Sequence, residues 1–151
     1  MIELRPIRED ELAVASALCL RSKAHWGYDD DFMRKCADEL TLSSRDLANS
    51  EIVVAVSGPR LLGVAQITTA DDVCHLEKLF VAPEAMGQNV GRRLFEWASA
   101  RAIACDATKM IIEADPDAVP FYERMGCRES GTVASGSIPG RSLPRLVLPL
   151  Y

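Results

Sequence analysis

Apolar and polar residues alternate from Ile2 to Ile7, which predicts an opening strand. Glu9, Asp10 and Glu11 favour a helix N-terminus, and Leu12, Ala15, Cys19 and Ser22 then recur at helical spacing to about Ala24. His25-Trp-Gly-Tyr28 breaks that helix, and Asp29-Asp-Asp31 starts a second one running to about Leu40. Thr41 to Ser50 is polar and is expected to be a loop. Three strands follow as a meander: Glu51 to Ser57, Leu61 to Thr69 and Val73 to Val81, with Ser57-Gly-Pro-Arg60 and Asp71-Asp72 as the turns. From about Asn89, Val90, Leu94, Trp97, Ala98, Ala102 and Cys105 fall on one face of a longer helix. A strand over Lys109 to Glu113, a short helix over Ala118 to Met125, a strand over Cys127 to Ala134, a loop over Ser135 to Arg141 and a strand over Leu143 to Leu150 complete the chain.

The predicted order β-α-α-β-β-β-α-β-α-β-β describes a single α/β (α+β) domain over residues 1–151. Its mixed, mostly antiparallel sheet has about seven strands and carries four helices. With 48% apolar and 26% charged residues, the composition is that of an ordinary globular domain. The net charge of −5 argues against nucleic acid as a partner. Five widely spaced cysteines with no C-x-x-C suit buried thiols rather than disulfides or a zinc site, so no metal is expected. No apolar run reaches membrane length and the first residues lack a signal core, so a cytoplasmic location without membrane partners is expected; a homodimer is left open.

The stretch most informative about chemistry is Lys78 to Phe95. It joins the end of a buried strand, a turn with Pro83 and Gly87, and the start of the long helix. A helix start leaves about four backbone N–H groups unpartnered and carries about half a positive charge. Gly87 allows a positive φ, Gly91 removes a side chain from the approach, and Arg92 and Arg93 add cations in the same turn. This is an anion site suited to a phosphate or pyrophosphate. Neither G-x-G-x-x-G nor a P-loop is present.

Met86-Gly-Gln-Asn-Val-Gly91 resembles the Gln/Arg-x-x-Gly-x-Gly/Ala pyrophosphate loop of the GNAT superfamily of N-acetyltransferases. Met86 stands where Gln or Arg is usual and Asn89 where the first patterned Gly is usual, although Asn tolerates the left-handed region. A second segment, Asp115-Pro-Asp-Ala-Val-Pro-Phe-Tyr-Glu-Arg-Met-Gly126, is similar to the family element Asn-x-x-Ala-x-x-Phe-Tyr-x-x-x-Gly, with Asp115 in place of Asn. The resemblance covers nearly the whole chain and implies the GNAT fold. In that fold the fourth and fifth strands, here Val73–Val81 and Lys109–Glu113, splay to admit acetyl-CoA.

By the same resemblance, Leu79, Phe80 and Val81 would meet the pantetheine, and one of their N–H groups would polarise the thioester carbonyl. Met86, Gly87, Gln88, Asn89, Val90, Gly91 and Arg92 would hold the pyrophosphate, and Asp115, Ala118 and Phe121 would complete the cofactor site. Tyr122 would be the general acid toward the CoA thiolate. His75 and Glu77 alternate onto one strand face, which Leu79 and Val81 are expected to continue, and either could serve as base toward an attacking ammonium. His25, Trp26 and Tyr28 are candidates for the acceptor wall, and Arg141, after a Pro139-Gly140 turn, for a carboxylate clamp. The implied activity is acetyl transfer from acetyl-CoA to a primary amine by direct attack in a ternary complex, with a small-molecule acceptor expected. Two alternatives remain at this level: a CoA-binding sensor without transferase activity, and a peptide or protein N-acetyltransferase.

Overall fold

The fold follows from inner strands that bury both faces and helices that bury one. The computed structural model describes residues 1–150. In chain order the elements are β1 (Glu3–Pro6), α1 (Leu12–Ala24), α2 (Asp30–Leu40), α3 (Ser44–Asn49), β2 (Glu51–Ser57), β3 (Arg60–Ala70), β4 (Val73–Val81), α4 (Val90–Ala104), β5 (Lys109–Glu113), α5 (Val119–Arg124), β6 (Arg128–Ala134) and β7 (Ser142–Pro149). Short 3-10 turns at Glu9–Glu11, Pro83–Ala85 and Pro116–Ala118 lead into α1, the α4 turn and α5. One seven-stranded sheet has the order β1-β2-β3-β4-β5-β7-β6. Every pairing is antiparallel except β4 with β5.

The central strand β3 is buried from Leu62 to Ile67, so both of its faces are covered. Helix α4 lies against one face so closely that a Cβ at Gly63 would sit 2.8 Å from Leu94 and 2.9 Å from Val90. Its buried positions are Val90, Leu94, Phe95, Ala98 and Ala102. Phe95 thus takes a place assigned above to Trp97 and Cys105, both of which are only half-buried. Helix α1 buries Ala15, Ser16, Leu18, Cys19 and Ser22. Ser16 ties it to the chain after α2 by donating to the Leu12 carbonyl and accepting from the Leu42 N–H at 2.9 Å.

The expected loop over Thr41–Ser50 contains a helix, α3, which makes five α-helices rather than four. The reason is local: Ser43 and Asp46 form a capping box, with the Ser43 N–H donating to Asp46 Oδ2 at 2.8 Å. Leu47 then packs on the core. The other predicted elements are present with ends shifted by a residue or two, as helix and strand ends commonly are.

One irregularity shapes the molecule. In the β3–β4 ladder Leu76 faces Ile67 but Lys78 faces Gln66, so Glu77 is an extra residue, a β-bulge. Parallel pairing of β4 with β5 runs from Val73 to Leu76 and stops at the same place. Beyond the bulge β4 continues to Val81, paired on its β3 side alone. The β4–β5 ladder thus ends at the bulge, and beyond it a gap opens in the middle of the sheet.

Candidate active site

The gap is part of a cleft of about 750 Å³ that runs from the start of α4, past the free edge of β4, to the last turn of α1. At the α4 end, Gly87 has φ +83° and Asn89 φ +64°, so both take the left-handed region that the sequence requires of them. Asn89 makes no side-chain cap. The first amide of this turn to find an acceptor is that of Arg93, which donates to the Asn89 carbonyl at 3.1 Å. Among the described residues the six N–H groups from Gly87 to Arg92 have no partner. Uncapped amides of this kind at a positive helix end are what an anionic diphosphate needs.

Met86, Gly87, Asn89, Val90, Gly91 and Arg92 line the cleft, whereas the Gln88 side chain turns toward the Glu84 carbonyl. Arg93 does not join them. Its guanidinium donates to the Ile2 carbonyl at 2.6 Å, so a single arginine of the pair serves the site. Arg124 on α5 also lines the cleft and is a cation that sequence reasoning missed, as is Lys23 at the end of α1. Arg124 lies one helical turn beyond Phe121, whose ring would be 3.3 Å from a Cβ on Gly91. Gly91 therefore lets α5 pack onto the start of α4, besides clearing the approach.

The bulge corrects the expected alternation on β4. Thr68 pairs with His75 and donates from Oγ1 to Glu77 Oε1 at 2.8 Å, so His75 and Glu77 do share a face. Past the bulge the parity changes. Val81 pairs with Gly63 and Leu79 with Ala65, which places both on the α4 face instead of continuing the His75–Glu77 face. His75, Glu77, Leu79, Phe80 and Val81 nonetheless all line the cleft, because the gap exposes both faces of β4 there. His75 and Glu77 are exposed.

Tyr122 packs edge-on to Phe121 with centroids 5.1 Å apart, and Phe95 closes the aromatic trio. The tyrosine is buried and lines the cleft together with Asp115, Ala118 and Phe121. Its hydroxyl has no protein partner among the described residues, yet no fully buried polar atom there lacks one, so the phenol tip opens into the cleft. Burial, with a smaller contribution from Cys127, pushes its pKa up. The group is therefore a neutral donor at ordinary pH.

At the α1 end the sequence reading needs its largest revision. The segments around Tyr28 and Arg141 do meet: Arg141 Nη2 donates to the Tyr28 hydroxyl at 2.9 Å. That hydroxyl donates to Asp115 Oδ2 at 2.7 Å, and Arg141 Nη2 and Lys23 Nζ each lie 3.5 Å from the same oxygen. Both cations sit over the stacked rings of Tyr28 and Phe32, Arg141 at 5.3 and 4.9 Å and Lys23 at 5.7 and 5.8 Å. Burial raises the Tyr28 pKa to about 12, aided by its bond to Asp115. Burial also acts to raise the Asp115 pKa, but the Tyr28 hydroxyl, the Asp117 amide and the two cations outweigh it, and the net direction is down.

Arg141 is therefore not placed as the expected clamp, since its guanidinium is bonded to the Tyr28 hydroxyl and its side chain does not line the cleft. Neither it, Tyr28 nor His25 lines the cleft. Trp26 does; it is 48% exposed and has His25 edge-on at 6.1 Å. The predicted turn before Arg141 is present, with Gly140 at φ +80° and the Arg141 N–H bonded to the Ile138 carbonyl at 3.2 Å. Ser137 Oγ donates to Glu39 and so docks this loop on α2. Among the described residues no cluster of three or more metal-ligating side chains occurs, and no helix is long and apolar enough to cross a membrane.

Residues 27–136 match the model of the acetyltransferase (GNAT) domain family. No curated protein matches the chain. Among solved structures, a PaiA N-acetyltransferase from Thermoplasma acidophilum in complex with coenzyme A is similar at 14% identity, with 99% of each chain covered and a TM-score of 0.80. The ribosomal-protein-S18-alanine N-acetyltransferase from Escherichia coli is similar at 17% identity, covering 99% of this chain and 94% of its own, with a TM-score of 0.74. YncA from Salmonella typhimurium, with its cofactor acetyl-CoA, is similar at 16% identity, covering 100% of this chain and 95% of its own, with a TM-score of 0.71.

Proposed function

Because this chain belongs to the GNAT acetyltransferase family, we propose that it transfers the acetyl group of acetyl-CoA to a primary amine of a small molecule. The observation that carries the reading is the run of six unpartnered amides from Gly87 to Arg92, at the end of a cleft that opens through the sheet. Their donors fit a pyrophosphate, and the free edge of β4 from Glu77 to Val81 fits the amide-bearing arm beyond it. Bound there, acetyl-CoA would supply an activated thioester, and the chain's own groups do the rest.

A β4 amide at the gap donates to the thioester carbonyl, where negative charge develops during attack. Glu77 or His75, exposed on the other face of the same strand, takes the proton of the incoming ammonium directly or through water. Tyr122, held neutral by burial with its hydroxyl in the cleft, would give a proton to the sulfur as the C–S bond breaks and be restored by the second proton that the acylated nitrogen sheds.

A small acceptor is favoured because the two loops at the α1 end are tied together by Tyr28, Asp115 and Arg141 and docked on Glu39. Loops fixed to one another in this way suit a small acceptor better than a polypeptide that would have to part them. Thiol release from acetyl-CoA, measured against a panel of amines, amino acids and peptides, tests this. Turnover with small amines is expected. Turnover restricted to peptides or protein N-termini would replace the acceptor class, and binding of acetyl-CoA without turnover on any amine would leave a sensor.

A further inference from the structure

The cluster at the end of α1 is unevenly balanced. Lys23 and Arg141 face one carboxylate, Asp115, and Tyr28 between them is neutral, so two cations against one anion leave a surplus of one positive charge. The two cations are not equivalent. Arg141 has a short bond to the Tyr28 hydroxyl and turns away from the cleft, whereas Lys23 lines it. Among the described residues the Lys23 ammonium has a single polar partner, at 3.5 Å, the long limit of a hydrogen bond. The rest of its surroundings are the faces of Tyr28 and Phe32. An ammonium carries three donors, and here 15% of the side chain is exposed and the residue lines the cleft, so donors remain for a ligand there.

Two neighbours on the same turn point to a ligand as well. Ser22 is buried and lines the cleft, and its hydroxyl has no partner among the described residues, so it opens into the cleft too. Trp26, one turn on from Ser22, leaves an apolar ring exposed beside it. Besides Asp115, four carboxylates line the cleft, Glu39, Glu77, Glu113 and Asp117; none of them is paired with Lys23, and Glu77 and Glu39 each accept from a hydroxyl of their own.

We propose that the last turn of α1 is a subsite for a carboxylate on the acceptor, with Lys23 as the charge partner, Ser22 as a hydroxyl donor and Trp26 as the apolar wall. The acceptor class is therefore an amino acid or a close analogue: an amine presented toward Glu77 and a carboxylate held at Lys23, with an apolar side chain between. This rests on the acetyltransferase reading for the acceptor's amine but not for its carboxylate. Asp115 and Arg141 act as positioning residues, holding Lys23 over the ring pair in the place where its free donors face the cleft.

Calorimetric titration of matched pairs into the CoA-saturated protein tests the subsite without chemistry. The probes are aliphatic and aromatic amino acids, each beside its own carboxamide. At least one acid is expected to bind ten-fold or more tighter than its amide. Lys23→Met should erase that ratio and Lys23→Arg should keep most of it, with melting temperatures confirming that both variants fold. Equal affinity within every pair overturns the proposal, as does a preference for the acid that survives Lys23→Met. If the preference is present but no acid is acetylated, the transferase reading fails while the subsite stands.

Discussion

Tyr122 has the environment a general acid needs and no structural bond to keep it occupied. A core tyrosine normally satisfies its hydroxyl within the protein; this one rests its ring on Phe121 and Phe95 and leaves the oxygen to the cleft. Tyr122→Phe preserves the ring packing and should lower kcat by about 10²-fold, the lower range for loss of an acid. The Kd for acetyl-CoA should stay nearly unchanged, and near wild-type turnover would remove Tyr122 from the reaction. Glu11 offers a residue-scale test of stability. The Arg5 guanidinium, bonded to it at 2.9 and 2.7 Å, and the Arg8 amide hold its pKa at about 2. Since the folded value lies below the ordinary one, the unfolded chain binds the proton more readily. The stabilisation is thus complete above about pH 4.5 and is lost as pH falls through about 2. Urea midpoints measured down that range should fall less steeply for Glu11→Gln than for the wild type, and parallel curves would dismiss the pair's contribution.

Among the elements, the tightest fit is between α4 and β3, and Gly63 is its gauge. A methyl there meets Leu94 and Val90, both fully buried, with the Phe80 carbonyl 3.1 Å away. Gly63→Ala should therefore destabilise the protein by about 1–3 kcal/mol, the usual cost of overpacking. Chemical denaturation would show this, and an unchanged midpoint would mean that α4 can shift outward. Elements of this kind were legible in the chain because their burial follows a simple period: β2 and β3 as apolar runs, α4 as a stripe, and its start as a glycine-flanked turn. Helix α3 was hidden, because its six residues are too short to show a stripe. Its signal was Ser43-Ser-Arg-Asp46, a capping pair with Asp in the place of the usual Glu or Gln. The bulge at Glu77 was hidden for a different reason. A bulge is a property of two strands in register, so alternation along β4 alone could not reveal where the parity of Leu79 and Val81 would change. Arg141 and Arg93 failed likewise: residue type and position gave a cation near the right loop, while their partners, Asp115 and the Ile2 carbonyl, come from distant parts of the chain.

At the scale of the molecule, the sheet is interrupted where a continuous one would be more stable. The edge of β4 from Glu77 to Val81 forgoes pairing with β5, and the start of α4 forgoes its cap. Unpaired backbone groups beside a cleft are costly when water is excluded from them, and a ligand that satisfies them should stabilise the whole fold by mass action. At a concentration of about 100 times its Kd, acetyl-CoA should add about 2.7 kcal/mol. For a domain of this size that corresponds to a rise in melting temperature of about 5–11 °C. Gly91→Glu should abolish the rise, because the new side chain starts 3.3 Å from the Phe121 ring and brings a carboxylate to the amides that would receive the pyrophosphate. The shift is to be read against the variant's own melting temperature without ligand, so that any strain between α4 and α5 is separated from lost binding. Equal shifts in the two proteins would mean that acetyl-CoA, if it binds, does so away from the uncapped turn. The helix start would then be an exposed end of α4 and not the anion site on which the rest of the cleft is aligned.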